Sequence, residues 1–237
     1  MVASSLRSHA PIMNKPGIVL VIGASRGVGR ELVRQYRDDG WAVHATVRKA
    51  ADVSELEACG CTVHTLDVTS EAQWSALGRQ VESIAFDVAI HNAGVAGPRS
   101  GDAPTRDDFD ATMRTNVWAA MQMVPIVAPR VVAAHGKLVV MSSRMGSIGA
   151  RENAGLTTYR ASKAALNSVM KDAAIVHGPQ GATCIAMHPG WVKTDMGGAG
   201  ADLAVADSAA GIRRTIAGLT HDDNGGFFNY DGSCIRW

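Results

Sequence analysis

The stretch "GIVLVIGASRGVGRELV", residues 17–33, joins an apolar, β-branched run to a glycine-rich turn and then to an amphipathic pattern. The run predicts a buried strand, and the spacing of the apolar residues after the turn predicts a helix. Glycines in such a turn let the backbone approach a pyrophosphate, and the helix beyond it presents free N–H groups and the positive end of its dipole. The stretch therefore predicts the phosphate-binding unit of a dinucleotide fold.

The glycines of this turn are Gly23, Gly27 and Gly29, a G-x-x-x-G-x-G spacing rather than G-x-G-x-x-G. The spacing alone also fits a turn that serves only close helix packing. The strand before the turn and the helix after it favour a dinucleotide. We assign these residues of the turn to the cofactor site: Gly23, Ser25, Arg26, Gly27, Val28 and Gly29.

Outward from this unit, short apolar runs alternate with helical patterns along the chain. The patterns predict strands over 17–23, 41–47, 61–68, 86–94, 137–143 and 182–190, and helices over 29–40, 70–83, 109–127 and 157–177. Nearly continuous apolar strands separated by amphipathic helices indicate a parallel sheet covered on both faces, the doubly wound α/β fold. Ligands bind beyond the carboxyl ends of the strands in such folds, so the residues that follow each strand are the candidate site residues.

Composition narrows the class of protein and of partner. The 237 residues, 46% of them hydrophobic, suffice for one α/β domain with a buried core. Formal net charge is +1 with no long run of either sign, so nothing indicates nucleic acid or an anionic membrane. No apolar run reaches the roughly 18 to 20 residues that span a bilayer, and the four cysteines lack a zinc spacing. We expect a cytoplasmic protein with a small, nearly neutral partner and no metal.

The first 15 residues, "MVASSLRSHAPIMNK", carry Ser and Arg but no acidic residue and no apolar core of a secretion signal. In this composition the segment faintly resembles a transit peptide. We favour a disordered extension over residues 1–15, or a start at Met13, and place the nucleotide-binding domain at residues 16–237.

The segment after the second predicted strand bears on the choice of nucleotide. It reads "ATVRKA", residues 45–50, and has no carboxylate before Asp52, whereas folds that prefer NAD place Asp or Glu there for the ribose 2′-hydroxyl. The Arg48 guanidinium suits a 2′-phosphate, because it can donate two parallel, charge-assisted hydrogen bonds. Arg26 could close on the same phosphate; the alternative is that both arginines are merely solvated. We predict that NADP(H) binds more tightly than NAD(H).

Seven short motifs occur in one order along the chain: "GASRGVG", "LDV", "HNAG", "TNV", "MSS", "YRASK" and "HPGWVKTDM". With these motifs the chain resembles the short-chain dehydrogenase/reductase family from about Gly17 onward. "SSRMGSIG", "YRASKAALN" and "GGFFNYDGSCIRW" are similar to its small carbonyl-reductase and C-factor branch. The resemblance implies a single Rossmann-type domain with a seven-stranded parallel sheet, and a Ser-Tyr-Lys catalytic set assisted by an Asn.

The resemblance also implies where the nucleotide lies. It places Asp67 and Val68 beside the adenine, Asn92, Ala93 and Gly94 against the adenosine ribose and the central crevice, and Pro189, Gly190, Val192 and Thr194 around the nicotinamide. The chain departs from the family at His91, which replaces the first of two asparagines. We expect His91 to be a hydrogen-bonded histidine at a strand end.

Tyr159 and Lys163 lie four residues apart on the predicted helix 157–177 and therefore share one face. We expect the Lys163 ammonium and the charge of oxidised nicotinamide to lower the pKa of Tyr159. Tyr159 and Lys163 also belong to the predicted cofactor site. Tyr159 would then donate a proton to the alkoxide formed by hydride transfer to a carbonyl carbon. In the family, Asn116 holds a water that relays protons through Lys163; from the residues alone it is equally a polar residue on a solvated face.

The catalytic serine of the family is the second of the pair that ends the fifth strand, which here is Ser143. It would stabilise the alkoxide with a hydrogen bond. The loop between Ser143 and Tyr159 is longer than in many members and matches the carbonyl-reductase branch. Ser147 is the rival, but it lies in loop 144–156, which we expect to be mobile and a poor place for a fixed donor.

The substrate would sit between loop 144–156 and the glycine-rich segment after Thr194, against Met145, Trp191 and Met196. Because no cluster of Arg or Lys follows there, we expect aldehydes or ketones with apolar bodies, or the corresponding alcohols, as substrates.

A competing hypothesis is a signalling or regulatory protein of the C-factor type that binds the nucleotide with little turnover. The intact set of Asn116, Ser143, Tyr159 and Lys163 favours the enzyme. The resemblance further implies a homodimer or homotetramer formed through the helices that hold Asn116 and Tyr159.

Overall fold

The computed structural model describes residues 16–97 and 103–237, and the extension predicted over residues 1–15 lies outside these ranges. The strands are β1 (Ile18–Ile22), β2 (Ala42–Val47), β3 (Thr62–Thr65), β4 (Val88–His91), β5 (Lys137–Met141), β6 (Thr183–His188) and β7 (Phe227–Asn229). The α-helices are α1 (Gly27–Asp38), α2 (Val53–Ala58), α3 (Glu71–Gln80), α4 (Arg106–Met113), α5 (Ala119–Ala133), α6 (Thr157–His177) and α7 (Val205–Gly218).

The seven strands form one sheet in the order β3-β2-β1-β4-β5-β6-β7, and every pairing is parallel. The doubly wound fold and the seven-stranded sheet are thereby confirmed. Strand order reverses between β1 and β4, which opens a crevice beyond the carboxyl ends of these strands. Ile22, the last residue of β1, pairs with Thr46 and with His91, so the residues that follow β1, β2 and β4 meet at this edge.

Both faces of β1 are buried, which explains its uninterrupted apolar run. Val19 and Val21 belong to the core that α1 and α7 cover, whereas Leu20 and Ile22 belong to the core that α3, α5 and α6 cover. All four side chains are fully buried. The central strand therefore anchors the glycine turn to the buried core of the sheet.

The helix predicted over 109–127 is longer in the structure, because a π turn, Arg114–Trp118, joins α4 to α5 in one helical run. Pro125 and Pro129 lie inside α5 without ending it. Residues beyond them, such as Val131, are fully buried against the sheet. Tertiary packing therefore outweighs the backbone hydrogen bonds that the prolines remove.

The patterns of the sequence missed β7, α2 and α7. A strand of three residues, Phe227–Asn229, is too short to show a periodicity, and only the family resemblance implied a seventh strand. Helix α7 starts inside the segment after Thr194 that its glycines made look like a loop. Among the described residues no helix is long and apolar enough to cross a membrane.

Candidate active site

The glycine turn has a backbone that only glycine adopts readily. Gly23 and Gly27 have φ values of 85° and 56°, in the left-handed region that other residues rarely occupy. At Gly29 a Cβ would lie 2.2 Å from the carbonyl oxygen of Gly23. Each glycine that the sequence assigned to the phosphate site is therefore required by the geometry of the turn, with Ser25 half-buried between them and Val28 packed into the core.

Helix α1 begins in this turn and presents its N-terminus to the crevice. Arg26 precedes the helix without capping it by its side chain, and the first turn of α1 holds no acidic residue. The N-terminus of a helix attracts an anion through its N–H groups and its dipole. These features fit the pyrophosphate of a dinucleotide.

Two neighbouring strands fix the position of the turn. The Gly23 N–H donates to Thr46 Oγ1 over 3.1 Å, and the Ala24 N–H donates to the Thr46 carbonyl over 2.9 Å. The amide nitrogen of Asn92 donates to the Gly23 carbonyl over 2.9 Å, and a Cβ at Gly23 would lie 2.9 Å from the backbone of Ala93. Asn92, which the resemblance placed against the ribose, thus uses its amide nitrogen to hold the phosphate turn.

Arg48, which follows β2, lies close enough to Asp67, which follows β3, for an electrostatic interaction. Asp67 accepts hydrogen bonds from the N–H and hydroxyl of Thr69, and these lower the pKa of its carboxyl. The positive charges of Arg48 and Arg114 lower this pKa further. Arg48 is therefore an exposed cation near Asp67, at the edge where the adenosine end is predicted. The Val68 carbonyl accepts from the indole N–H of Trp74 over 2.9 Å.

The structure places Arg26 differently from the prediction. Its guanidinium pairs with the Asp195 carboxylate over 2.5 Å, and both side chains are largely exposed. The pair spans from the glycine turn to the segment after β6, where a Cβ at Gly27 would lie 3.4 Å from the methyl group of Thr194. The sequence predicted that Arg26 and Arg48 contact the same 2′-phosphate. In the structure the Arg26 guanidinium instead forms an ion pair with Asp195.

The segment after β6 packs closely on the end of the sheet. The Pro189 carbonyl accepts from the Ser208 hydroxyl over 2.6 Å. Gly190 has a φ of 86°, and a Cβ there would lie 2.5 Å from Leu203. Val192 is buried, and the Thr194 hydroxyl lies 3.3 Å from its carbonyl. The four residues predicted around the nicotinamide therefore line one fixed turn that faces the glycine turn.

Tyr159 and Lys163 occupy the first two turns of α6. The Lys163 ammonium donates to the carbonyl of Met141, the last residue of β5, over 2.7 Å. It lies 5.8 Å from the centre of the Tyr159 ring. Burial lowers the pKa of Lys163 to about 8. The strand end thus holds the ammonium beside the tyrosine, and two of its three protons remain for other acceptors.

Two opposing effects set the pKa of Tyr159 in the protein alone. Burial of the phenol raises the pKa of Tyr159 above its usual value, while a hydrogen bond with Ser143 acts in the opposite direction. Burial dominates because the ring loses solvent that would stabilise a phenolate. In the protein alone the net result is therefore a raised pKa, because burial outweighs the opposing effect of Ser143.

Ser143 is the serine that contacts the tyrosine. It follows β5, is nearly fully buried and lies near enough to Tyr159 to lower the pKa of the phenol. Its Oγ accepts from the Met145 N–H over 3.2 Å. Because the oxygen accepts there, the hydroxyl proton stays available for Tyr159 or for a substrate oxygen.

The neighbouring serines have other partners. Ser142 Oγ donates to the side-chain oxygen of Asn167 over 2.5 Å, and Ser147 donates to the carbonyl of Arg236. Ser147 is buried, next to a 3-10 turn at Arg144–Gly146. The start of loop 144–156 is thus packed, so the prediction that Ser147 lies in a mobile loop was wrong. The Ser147 hydroxyl nevertheless contacts Arg236 and not Tyr159.

Asn116 lies in the π turn and is completely buried. Its amide nitrogen donates to the Val95 carbonyl and to Ser162 Oγ, both over 2.9 Å, and its side-chain oxygen accepts from the Val95 N–H over 2.8 Å. A Cβ at Gly94 would lie 3.2 Å from this oxygen and 3.3 Å from Lys163 Nζ. The alternative of a solvated face is wrong: Asn116 clamps the backbone that follows β4 beside the lysine.

His91 also differs from the expectation. It is buried, and neither ring nitrogen has a hydrogen-bond partner within the ranges that the structure describes. The ring is stacked with that of Trp74, with centroids 6.5 Å apart. Burial, with the nearby charge of Lys163, lowers the pKa of His91 to about 4. The prediction of a hydrogen-bonded histidine was wrong, because the ring is buried against Trp74 with neither nitrogen meeting a polar partner.

Sequence reasoning missed two residues that support the site. Thr46 fixes the glycine turn, but a β-branched residue in a strand has nothing to set it apart. Asn167, the partner of Ser142, lies four residues after Lys163 and eight after Tyr159. It therefore continues their face of α6, and this spacing was a signal that could have found it.

We predict that folding stability falls as the pH drops from about 6.5 to about 4. Burial lowers the pKa of His91 and His188 to about 4 in the folded protein. Between these pH values the unfolded chain binds protons that the native state does not bind. The contribution of the two neutral histidines to the free energy of unfolding is therefore complete above the unfolded pKa of about 6.5 and is lost below it. At pH 4 each histidine lowers the free energy of unfolding by about 3 kcal/mol relative to neutral pH.

Urea unfolding at several pH values measures this loss. His91→Leu should show a shallower decline with acid than the unchanged protein, because one of the two histidines no longer titrates. An unfolding free energy that stays constant between neutral and acid pH would contradict the prediction.

The chain is similar in sequence to proteins of known family. A family model described as short chain dehydrogenase matches residues 17–202. The chain belongs to the short-chain dehydrogenase family. The short-chain dehydrogenase described here is 37% identical to C-signal of Myxococcus xanthus over 154 residues, covering 64% of this chain and 92% of that protein. It is 30% identical to 1-hydroxy-2-glutathionyl-2-methyl-3-butene dehydrogenase of Rhodococcus sp. (strain AD45), covering 92% of this chain and 99% of the relative.

A solved structure extends the likeness to the fold. The NADPH-bound carbonyl reductase from chicken fatty liver superposes on this short-chain dehydrogenase with a TM-score of 0.85 and 28% identity. The match covers 94% of this chain and all of the other. Among the described residues no group of three or more His, Cys, Asp or Glu is arranged to hold a metal ion.

Proposed function

We propose that this short-chain dehydrogenase is an NADPH-dependent carbonyl reductase, which transfers hydride between NADP(H) and an aldehyde, a ketone or the corresponding alcohol. The observation that carries the proposal is the meeting of Ser143, Tyr159 and Lys163 at the carboxyl end of β5. This group lies on the same sheet edge as the uncapped N-terminus of α1. A proton donor, a second hydrogen-bond donor and a dinucleotide site therefore share one crevice.

When bound, the nicotinamide supplies the hydride. Tyr159 donates its phenolic proton to the carbonyl oxygen as negative charge develops there. Ser143 donates a second hydrogen bond to the same oxygen, since its own oxygen is occupied by the Met145 N–H. Hydride and proton together convert the carbonyl to the alcohol, and the reverse reaction returns the proton to Tyr159.

Lys163 has two tasks in this scheme. Two of its protons are free after the bond to Met141 and can hold the nicotinamide ribose hydroxyls. Its charge also favours the phenolate that Tyr159 becomes after donation. Because burial alone raises the pKa of Tyr159, the positive charge of oxidised nicotinamide is needed as well. Asn116 holds the backbone beside Lys163 and fixes the floor of the site.

Two features support NADP(H) as the cofactor. Arg48 is exposed after β2, where the chain carries no carboxylate for a ribose 2′-hydroxyl. The chicken-liver reductase that shares the fold is bound to NADPH. We propose that the remaining cofactor contacts assigned from the sequence, from the glycine turn to Thr194, line the same crevice.

The proposed substrate has an apolar body. Trp191 is 57% exposed and Met196 42% exposed after β6, and Ile148 in loop 144–156 is 78% exposed. The Trp191 indole N–H donates to the Gly197 carbonyl over 2.9 Å, which fixes the ring in place. Large exposed apolar side chains beside a crevice are typical of ligand contacts. We also propose a cytoplasmic protein that forms a homodimer or homotetramer through α4, α5 and α6.

The test is to follow NADPH oxidation with a panel of aliphatic and aromatic aldehydes, ketones and quinones, together with charged sugars as the opposing class. We expect turnover of the apolar carbonyls and little turnover of the sugars. Turnover of a single, highly polar substrate would contradict the assignment of the pocket.

The likeness to C-signal favours a second function, a signalling protein that binds the nucleotide without appreciable turnover. The same panel separates the two. Tight binding of NADPH with no oxidation by any carbonyl would support the signalling protein and reject the reductase.

Arg48→Ala tests the choice of nucleotide. We expect the dissociation constant of NADPH to rise about 10- to 100-fold, because charge-assisted hydrogen bonds to the 2′-phosphate are lost. The dissociation constant of NADH should not change, since NADH lacks that phosphate. Lys49→Ala, at the adjacent exposed cation, is the matched control and should have little effect. Equal affinity for the two nucleotides in the unchanged protein, or unaltered NADPH selectivity in Arg48→Ala, would contradict the assignment.

A further inference from the structure

The last residues of the chain turn back along the sheet. Residues 233–237, called here the C-terminal strap, follow β7 and run antiparallel to it. Phe228 and Cys234 form an antiparallel bridge, and the Ile235 N–H donates to the Phe227 carbonyl over 2.7 Å. The Trp237 ring then stacks on that of Phe227, with centroids 5.4 Å apart. The strap is therefore fixed to the edge of the sheet by backbone and side chain.

The strap ends against the loop that separates Ser143 from Tyr159. Ser147 Oγ donates to the Arg236 carbonyl and lies 3.3 Å from that of Trp237. The Gly149 N–H donates to the Trp237 carbonyl over 2.8 Å. At Gly149 a Cβ would lie 2.8 Å from this oxygen, so the close approach depends on glycine. Residues 147–149 are thus tied to the strap by both backbone and hydroxyl.

A short chain of hydrogen bonds leads from this contact to the catalytic serine. The Ser147 N–H donates to the Arg144 carbonyl over 3.1 Å, and the Gly146 N–H donates to the Ser143 carbonyl over 2.7 Å. The Met145 N–H reaches Ser143 Oγ. A Cβ at Gly146 would lie 2.7 Å from the backbone of Lys163, so this turn also presses on α6. A shift of Ser147 would therefore move the groups that orient Ser143.

We propose that the C-terminal strap positions the substrate loop, residues 144–156, through Ser147 and Trp237, and thereby sets the affinity for the carbonyl substrate. This inference rests on the proposed reductase function. Ser147 and Trp237 act as positioning residues, because their contacts join the strap to the loop and not to the reacting atoms. Ile148, whose exposed side chain lies between the two tied residues, is then held at a fixed place in the loop.

The test compares Ser147→Ala and Trp237→Ala with the unchanged protein, using an apolar aldehyde and NADPH. We expect kcat/KM to fall about 10- to 100-fold, chiefly through a higher KM, with the dissociation constant of NADPH unchanged. Trp237→Phe keeps a ring for the stack on Phe227 and should restore most of the loss. Ser75→Ala, which makes the same change at an exposed serine of α3, is the matched control and should leave both constants unaltered.

Hydrogen exchange of the Gly149 and Ala150 amides supplies the second measurement. The Gly149 amide donates to the Trp237 backbone oxygen and the Ala150 amide to Ser147 Oγ, so both should exchange faster in Ser147→Ala; only Gly149, whose acceptor is still present in that variant, reports on the strap. Faster exchange with an unchanged KM, or unchanged exchange, would overturn the proposal. If the unchanged protein reduces no carbonyl, the reductase function fails and the exchange rates alone decide whether the strap holds the loop.

Discussion

Tyr159→Phe should lower kcat by about 10²- to 10⁴-fold, the range that a positioned proton donor contributes. The variant keeps the ring beside Lys163 and removes only the hydroxyl that donates to the alkoxide. Binding of NADPH should change little, because we propose that the nucleotide is held mainly by the glycine turn and by Lys163. Stopped-flow or steady-state measurement of NADPH oxidation, beside a fluorescence titration of NADPH binding, separates the two effects.

Tyr36→Phe is the matched control for this variant. Tyr36 is buried in the second half of α1, with the Arg213 guanidinium over its ring, so it loses the same hydroxyl outside the crevice. Its kcat should equal that of the unchanged protein. Undiminished turnover in Tyr159→Phe would show that another group delivers the proton and would remove the central residue of the proposed mechanism.

Ser143→Ala should lower kcat by about 10²- to 10³-fold, as expected when one donor to a developing oxyanion is lost. Ser143 also opposes the effect of burial on Tyr159, since their hydrogen bond lowers the pKa of the phenol. Its loss should therefore shift the pH profile of alcohol oxidation, which needs the phenolate, to higher pH. The profile of kcat against pH measures this shift.

Ser147→Ala provides the comparison. Both serines are buried in the same segment, but Ser143 contacts Tyr159 whereas Ser147 contacts the strap. We expect Ser143→Ala to lower kcat and Ser147→Ala to raise KM. If Ser147→Ala abolished turnover while Ser143→Ala left it intact, the assignment of the catalytic serine would be reversed.

Much of the fold could be predicted because its signals are local. The apolar run of β1 and the glycines after it specify strand, turn and helix within residues 17–33. Six strands followed from such runs. β7 did not, because three residues show no period and their place in the sheet depends on pairing with β6. α5 continues past Pro129 because its buried face packs on the sheet.

The candidate site divides in the same way. The spacing of Tyr159 and Lys163 on one helix indicated a shared face, and the structure shows them together beside the end of β5. Neither the Arg26–Asp195 pair nor the Ser147–Arg236 contact has a local signal, since their partners lie far apart in the sequence. Contacts of this kind depend on how the whole chain packs.

Local patterns of the sequence were enough to predict the doubly wound fold and to single out the glycine turn, Tyr159 and Lys163 as candidate site residues, because each depends on periodicity or spacing within a few turns of chain. Two features depend on the tertiary structure: His91 is buried without a hydrogen bond, and residues 233–237 are hydrogen-bonded to loop 144–156. Burial and long-range hydrogen bonding set these features. Both arise only when distant segments pack and exclude water, so no local pattern carries them.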